Sequence, residues 1–188
     1  MTAMKRTLIL TAGALALLLT ACGGSGEKTQ PAADSVTVRQ PSGPVPAENP
    51  LTRATTVNLD GHTFHVEIRR FVDKEQPTVK DDLDQEFYDN GVEVTVMSEG
   101  SKFFHHTFRK DDFSGFVSAA ERRGYVFLGM AYDDRKSGGR TLCLAAQLGQ
   151  PGTGEGPAFT IEIPLDGSAF SIVRDTQQET VKQEEMGV

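Results

Sequence analysis

The chain has 188 residues, a formal charge of −7, 24% charged and 38% hydrophobic side chains, no Trp and two Cys. That leaves room for one domain of roughly 100 to 200 residues plus further segments. Two cysteines cannot build a disulfide scaffold, and an acidic chain lacks the basic face that nucleic-acid phosphates require. The hydrophobic fraction is too high for a wholly disordered chain and too scattered for several membrane spans.

Lys5 and Arg6 precede an apolar run from Leu8 through Leu19, broken only by Thr11 and Gly13, which is the pattern of a secretory signal. The run is too short to span a bilayer, which takes about 20 apolar residues in a helix. It ends at Leu19-Thr20-Ala21-Cys22, which resembles a bacterial lipobox. The resemblance implies that residues 1–21 are a removable lipoprotein signal peptide and that Cys22 becomes the acylated first residue of the mature chain. A buried helix ending in an incidental Cys would need a polar face, and residues 8–19 have none. Each buried methylene of a palmitate-like chain contributes about 0.8 kcal/mol, so a diacylglyceryl Cys22 anchors the protein to the membrane without a spanning helix. Gly23 stands where an Asp would resemble the inner-membrane retention signal of many Gram-negative lipoproteins, so sorting to the outer membrane is expected. Glu27 is the lone acidic residue near the acylated end, without the acidic cluster of surface-exported lipoproteins of the Bacteroidetes. The periplasmic leaflet is therefore the expected side.

Residues 22–54 read as the lipidated Cys and a flexible tether, rich in Gly, Ser, Pro, Gln and Ala and interrupted by Pro31, Pro41, Pro44, Pro46 and Pro50. Val36-Thr37-Val38 could form one short strand within it. All eleven Phe and all three Tyr lie between Phe64 and Phe170, which places a single β-rich domain at residues 55–175. Thr55 to Leu59 and His62 to Val72 flank Asp60-Gly61, a hairpin signal. An acidic loop and Asn90-Gly91 follow. Val92, Val94 and Val96 then alternate with Glu93 and Thr95, as in a half-buried strand that turns at Glu99-Gly100 into Lys102 to Arg109.

A helix is predicted from a cap at Asp111 or Asp112 to a left-handed stop at Gly124, with Phe113, Phe116, Val117 and Ala120 facing a sheet and Arg122 and Arg123 in its last turn. Two more hairpins turn at Ser137-Gly138-Gly139 and Asp166-Gly167. The fold class this predicts is mainly β (α+β): an antiparallel β-meander forming a sandwich or partly closed barrel, with one inserted α-helix. Residues 176–188 are polar and read as a disordered tail.

The motifs Tyr88-x-Asn90-x-Val92, Phe103-Phe104-x-x-Thr107-Phe108-x-Lys110-x-Asp112-Phe113, Gly129-Met130 and Arg174-Asp175-Thr176 resemble a family of uncharacterised small lipoproteins of the Bacteroidetes, defined as a domain of unknown function, over roughly residues 55–180. The resemblance implies a lipid-anchored, single-domain envelope protein and assigns no residue a role.

No pattern of catalytic, metal or cofactor residues stands out. In extended chain, His62 and His65 project to opposite faces, as do His105 and His106, so neither pair chelates by itself. Asp81, Asp82, Asp84, Glu86 and Asp89 could collect calcium, but Phe87 stands where a helix-loop-helix calcium site needs Gly, and a solvated acidic loop is the expectation. Gly149, Gly152, Gly154 and Gly156 lack the Lys and the following helix of a phosphate cradle and read as a flexible connector. Ser114 is not in a nucleophile elbow, and Cys143, between Leu142 and Leu144, reads as a small core residue. The expected function is that of a non-catalytic, lipid-anchored envelope protein binding a partner protein or envelope ligand, with no cofactor and no nucleic acid. The alternatives are a structural or assembly component of the envelope and a metal-dependent hydrolase using His65, His106 and the acidic loop.

Overall fold

The computed structural model of the chain describes residues 43–176. The segment read as a signal peptide, Cys22, Val36-Thr37-Val38 and the residues beyond Thr176 lie outside the described residues. The protein is mostly β, built as two sheets with few helices. Its strands are β1 (Val45–Pro46), β2 (Leu51–Leu59), β3 (His62–Asp73), β4 (Val79–Lys80), β5 (Glu86–Ser98), β6 (Ser101–Phe108), β7 (Val126–Tyr132), β8 (Thr141–Gly149), β9 (Ala158–Pro164) and β10 (Ser171–Asp175).

β5 is the spine of the first sheet. It pairs antiparallel with β3, β4 and β6 and parallel with β1, while β2 extends the sheet beyond β3. This sheet curls into a half-barrel. The second sheet is a four-stranded antiparallel meander in the order β10-β9-β8-β7.

Each turn follows from its residues. Asp60 (φ 50°) with Gly61 (φ 79°), and Glu99 (φ 50°) with Gly100 (φ 80°), are both left-handed in sequence, as a two-residue hairpin matched to strand twist requires. Period-two alternation then sends Phe64, Val66 and Ile68 from β3 and Val92, Val94 and Val96 from β5 into one core. There they join Leu142, Leu144, Ala146 and Leu148 from β8 and Phe159, Ile161 and Ile163 from β9. Burying each of the larger side chains contributes about 1.5–3 kcal/mol.

Four expectations need correction. Strand structure begins before residue 55: β2 starts at Leu51, and Val45–Pro46 forms a ladder with Phe87 and Tyr88 inside the segment read as tether. Proline is tolerated because that ladder is only two residues long and Pro46 ends it. The parallel β1·β5 pair also departs from a purely antiparallel meander.

Asn90-Gly91 lies in the interior of β5. Gly91 lies opposite Phe71, and a Cβ there would fall 2.4 Å from the Phe71 ring, so the glycine makes room for that ring.

The helix is shorter than predicted. Lys110–Phe113 is a 3-10 turn that delivers Phe113 into the core, with its ring 4.8 Å from Phe159 and 5.3 Å from Phe127. The α-helix, α1, runs only over Ala119–Gly124 and buries no residue, leaving Phe116 at 36% exposure and Ala120 in solvent. Ser118 rather than Asp111 or Asp112 is its cap, because Ser118-x-x-Glu121 closes a capping box. Its end is not left-handed at Gly124: Tyr125 is already extended (φ −106°, ψ 151°) and leads directly into β7.

The glycine-rich stretch, finally, is a tied turn. Gln150 donates to Glu155, Gly154 to Gln150, and the Gln147 side chain to Gly154. A Cβ on Gly156 would meet the Leu148 carbonyl at 2.3 Å, so Gly156 serves close backbone approach.

Candidate functional site

The acidic segment divides into two environments. Asp81 folds the loop on itself, its Oδ1 accepting from the Leu83 and Gln85 backbone N–H groups at 2.9 and 3.0 Å. Lys80 reaches toward Asp84 and Glu86 at 3.7 and 3.8 Å. Asp89, expected in the same solvated loop, is instead fully buried in β5. Its Oδ1 accepts from the N–H groups of Asn90 (2.8 Å) and Phe127 (2.7 Å). The Lys110 ammonium lies 2.9 Å from its Oδ2 in charge contact, off the hydrogen-bonding direction, and donates to the Tyr125 carbonyl at 2.7 Å.

This pair belongs to a polar seam that closes the free edge of β7. The Asn90 amide donates to the Phe127 carbonyl at 2.8 Å, and the Arg70 guanidinium donates to the Leu128 carbonyl and to the Asn49 carbonyl. Backbone groups that an edge strand would leave unpaired are thus satisfied by side chains from β3, β5 and the 3-10 turn. Beside the seam, Arg109 pairs with the buried Asp73 at 2.8 Å, and this hydrogen bond raises the guanidinium pKa above its ordinary value. Lys110, Arg70 and Arg109 were not singled out as seam residues by sequence. Their signal was only that Arg69-Arg70 and Arg109-Lys110 stand as adjacent cations next to a phenylalanine, which reads equally well as solvated surface.

The four histidines do not converge. The registers of β3, β5 and β6 put His65, Met97, Thr95 and His105 on the outer face of the first sheet, and His106, opposite Val94, on the inner face. His65 and His106 are therefore separated by the sheet itself. The His106 ring packs 4.4 Å from Phe108 and 5.0 Å from Phe170, with Asp112 at 3.7 Å. His62 contacts Glu99 at 3.1 Å, His65 contacts Thr56, and His105 contacts Thr95. No three His, Cys, Asp or Glu side chains gather as a metal site among the described residues.

Ser114 is exposed at the end of the 3-10 turn. Cys143 is buried at 4% exposure on the outer face of β8. Its thiol pKa is pushed up first by burial and then by the carboxylates of Glu162 and Asp133. A raised thiol pKa works against nucleophilic use.

A groove of about 690 Å³ lies between β4 and the end of α1, lined by Gln76–Lys80, Lys110, Asp111, Arg122 and Arg123. Capping fixes its far wall: the Ser118 box starts α1 so that Arg122 and Arg123 fall in the last turn. Arg122 touches Asp111 at 3.5 Å, while Arg123 is exposed and has no ion pair among the described residues. The Lys110 head is committed inward to Asp89, while Lys80 is shared with Asp84 and Glu86 and Arg122 with Asp111, so Lys80, Arg122 and Arg123 supply the groove's positive charge and Arg123 is the one of them without an ion pair among the described residues. Such a site can attract and orient an anion, and its lining holds no nucleophile–base pair. No helix among the described residues is long and apolar enough to cross a membrane. Among curated proteins, none matches this chain. The family model described as "Domain of unknown function (DUF4738)" matches residues 33–170, overlapping most of the span expected from the motif resemblance, and the chain belongs to that family.

Proposed function

We propose that this protein is a lipid-anchored envelope protein of a Bacteroidetes-type outer membrane, held on the periplasmic side through Cys22, whose β domain binds an anionic envelope ligand or partner without catalysing a reaction on it. In this reading the two sheets form a sandwich with a partly curled first layer, and the groove beside α1 is the binding surface. The observation that carries it is charge asymmetry: a chain of formal charge −7 sets Lys80, Arg122 and Arg123 around one groove of about 690 Å³. Exposed cations concentrated in a concave surface attract phosphate- or carboxylate-bearing groups, and their effect weakens as salt screens them. The leader and lipobox supply the anchor. The hydrolase alternative loses its support because His65 and His106 occupy opposite faces of one sheet.

The test is one purification. Native protein is crosslinked in intact cells and extracted, the Cys22 peptide is weighed by mass spectrometry, and co-purifying components are compared between wild type and Arg122→Glu/Arg123→Glu. A diacylated Cys22 and an anionic component reduced about tenfold or more in the variant are expected, since each ~1.4 kcal/mol of lost interaction is a factor of ten. A free Cys22 thiol with the leader attached removes the anchor. Equal recovery from both proteins, or no reproducible component, removes the groove.

A further inference from the structure

The other sheet edges carry features that blunt pairing, and β2 does not. β1 and β4 are two residues each, and β1 ends in proline. β6 joins β5 through a register shift, and β10 is five residues long. The β7 edge is tied off by Asp89, Asn90 and Arg70, and its ladder also shifts register. Natural sheets protect their edges by such means: shortness, bulges, prolines, charges or covering groups.

β2 runs nine residues, Leu51-Thr-Arg-Ala-Thr-Thr-Val-Asn-Leu59, with one charge, no proline and no glycine. It pairs with β3 in unbroken register along its whole length, and no strand pairs with its other edge among the described residues. Seven of the nine, Leu51 through Thr56 and Asn58, are exposed. Alternate N–H and C=O groups of an antiparallel strand point away from its neighbour, so this edge offers a row of unpaired donors and acceptors.

We propose that β2 pairs antiparallel with β2 of a second copy of this chain, with Thr55 on the two-fold axis. The strand's own sequence singles out that occupant. With Thr55 opposite Thr55, all nine residues overlap: Leu51 meets Leu59, Arg53 meets Val57, Thr52 meets Asn58 and Ala54 meets Thr56. Apolar ends meet apolar ends, and the strand's single cation faces a valine instead of its symmetry mate. Sliding the axis to residue 53 would oppose Arg53 to Arg53 and is disfavoured by like-charge repulsion. The interface is isologous, so it closes at two copies and leaves no further edge of this kind. It joins the two first sheets into one continuous sheet across the dimer.

The test is register-specific cysteine crosslinking in the purified full chain carrying Cys22→Ser, in which buried Cys143 is the other thiol. Directly opposed residues of an antiparallel pair have Cα atoms about 4.5–5.5 Å apart, within the Cα separation that a disulfide spans. Under mild oxidation, Thr55→Cys is expected to give a disulfide dimer at least tenfold faster than Thr52→Cys or Asn58→Cys alone. Thr52→Cys/Asn58→Cys together are expected to match it, and adding Thr55→Lys to that pair is expected to abolish its crosslink by setting two ammonium groups on the axis. Thr55 is exposed, so the lysine leaves the monomer fold intact, which circular dichroism verifies. Equal slow crosslinking by all single variants, or a Thr52→Cys/Asn58→Cys crosslink that survives Thr55→Lys in a folded protein, overturns the proposal.

Discussion

Lys110 and Asp89 show how a charged residue that reads as surface can be the most consequential group in its neighbourhood. An ammonium side chain is almost never fully buried unless it is paired, and here it is paired with a carboxylate that also caps two backbone N–H groups. Removing one partner strands the other charge in the core, which typically costs about 3–5 kcal/mol. Lys110→Met is therefore expected to lower the unfolding free energy by that amount, seen as a lower urea midpoint at unchanged slope, and Lys110→Met/Asp89→Asn to recover part of it because the remaining group is neutral. A single variant within about 1 kcal/mol of wild type would mean that water reaches Asp89. Sequence reading put Asp89 with Asp81, Asp82, Asp84 and Glu86 because five carboxylates in nine positions look alike in one dimension. What distinguishes Asp89 is its register opposite Asp73 and its bond to Phe127, far away in sequence. Asn90 and Lys110, which helped carry the family resemblance, have architectural work in the seam, and that explains motif residues without any chemistry.

Hairpins were the most legible elements, since Asp60-Gly61 and Glu99-Gly100 announce left-handed backbone locally. The 109–125 segment was the least legible. Phe113, Phe116, Val117 and Ala120 have helical spacing, but the core takes Phe113 through a 3-10 turn, and the later residues gain little by continuing it as one helix. The competing signal was Ser118-x-x-Glu121, which specifies a start at Ala119. The box holds the Glu121 carboxylate below the ordinary glutamate range, first through the Ser118 backbone N–H and then through its side chain. A lowered folded-state pKa adds stability that is complete above the unfolded value and disappears as pH falls through the lowered one. Ser118→Ala is expected to cost α1 about 1 kcal/mol, seen as about fivefold faster hydrogen exchange of the Arg122 and Tyr125 amides, which bond to the Ser118 and Glu121 carbonyls. Glu121→Gln should speed the same amides at neutral pH and match wild type once pH is below the lowered Glu121 value. A difference that persists in acid would assign α1's stability elsewhere.

The two sheets meet in one apolar cluster and are joined again at the β7 edge, where Asp89, Asn90 and Arg70 of the first sheet bond backbone groups of the second. Alternating patterns made each sheet's inner face readable, but not which strands lie across from one another, because that depends on the seam and on the length of β5. Joined both by packing and by backbone-directed polar bonds, the sheets should open as one cooperative unit. The most protected amides of β5 and β8 then exchange only through global unfolding and report the same free energy. Leu144→Ala, at a fully buried site in β8, should cost about 2–5 kcal/mol. Cooperativity requires the Val94 and Val96 amides in β5 to lose protection by the same amount as the β8 amides, although neither strand pairs with the other. Native-state hydrogen exchange reads both sets at once. If the β8 amides weaken while those of β5 keep their wild-type protection, the sheets are separable folding units and the seam is a contact between them instead of a weld.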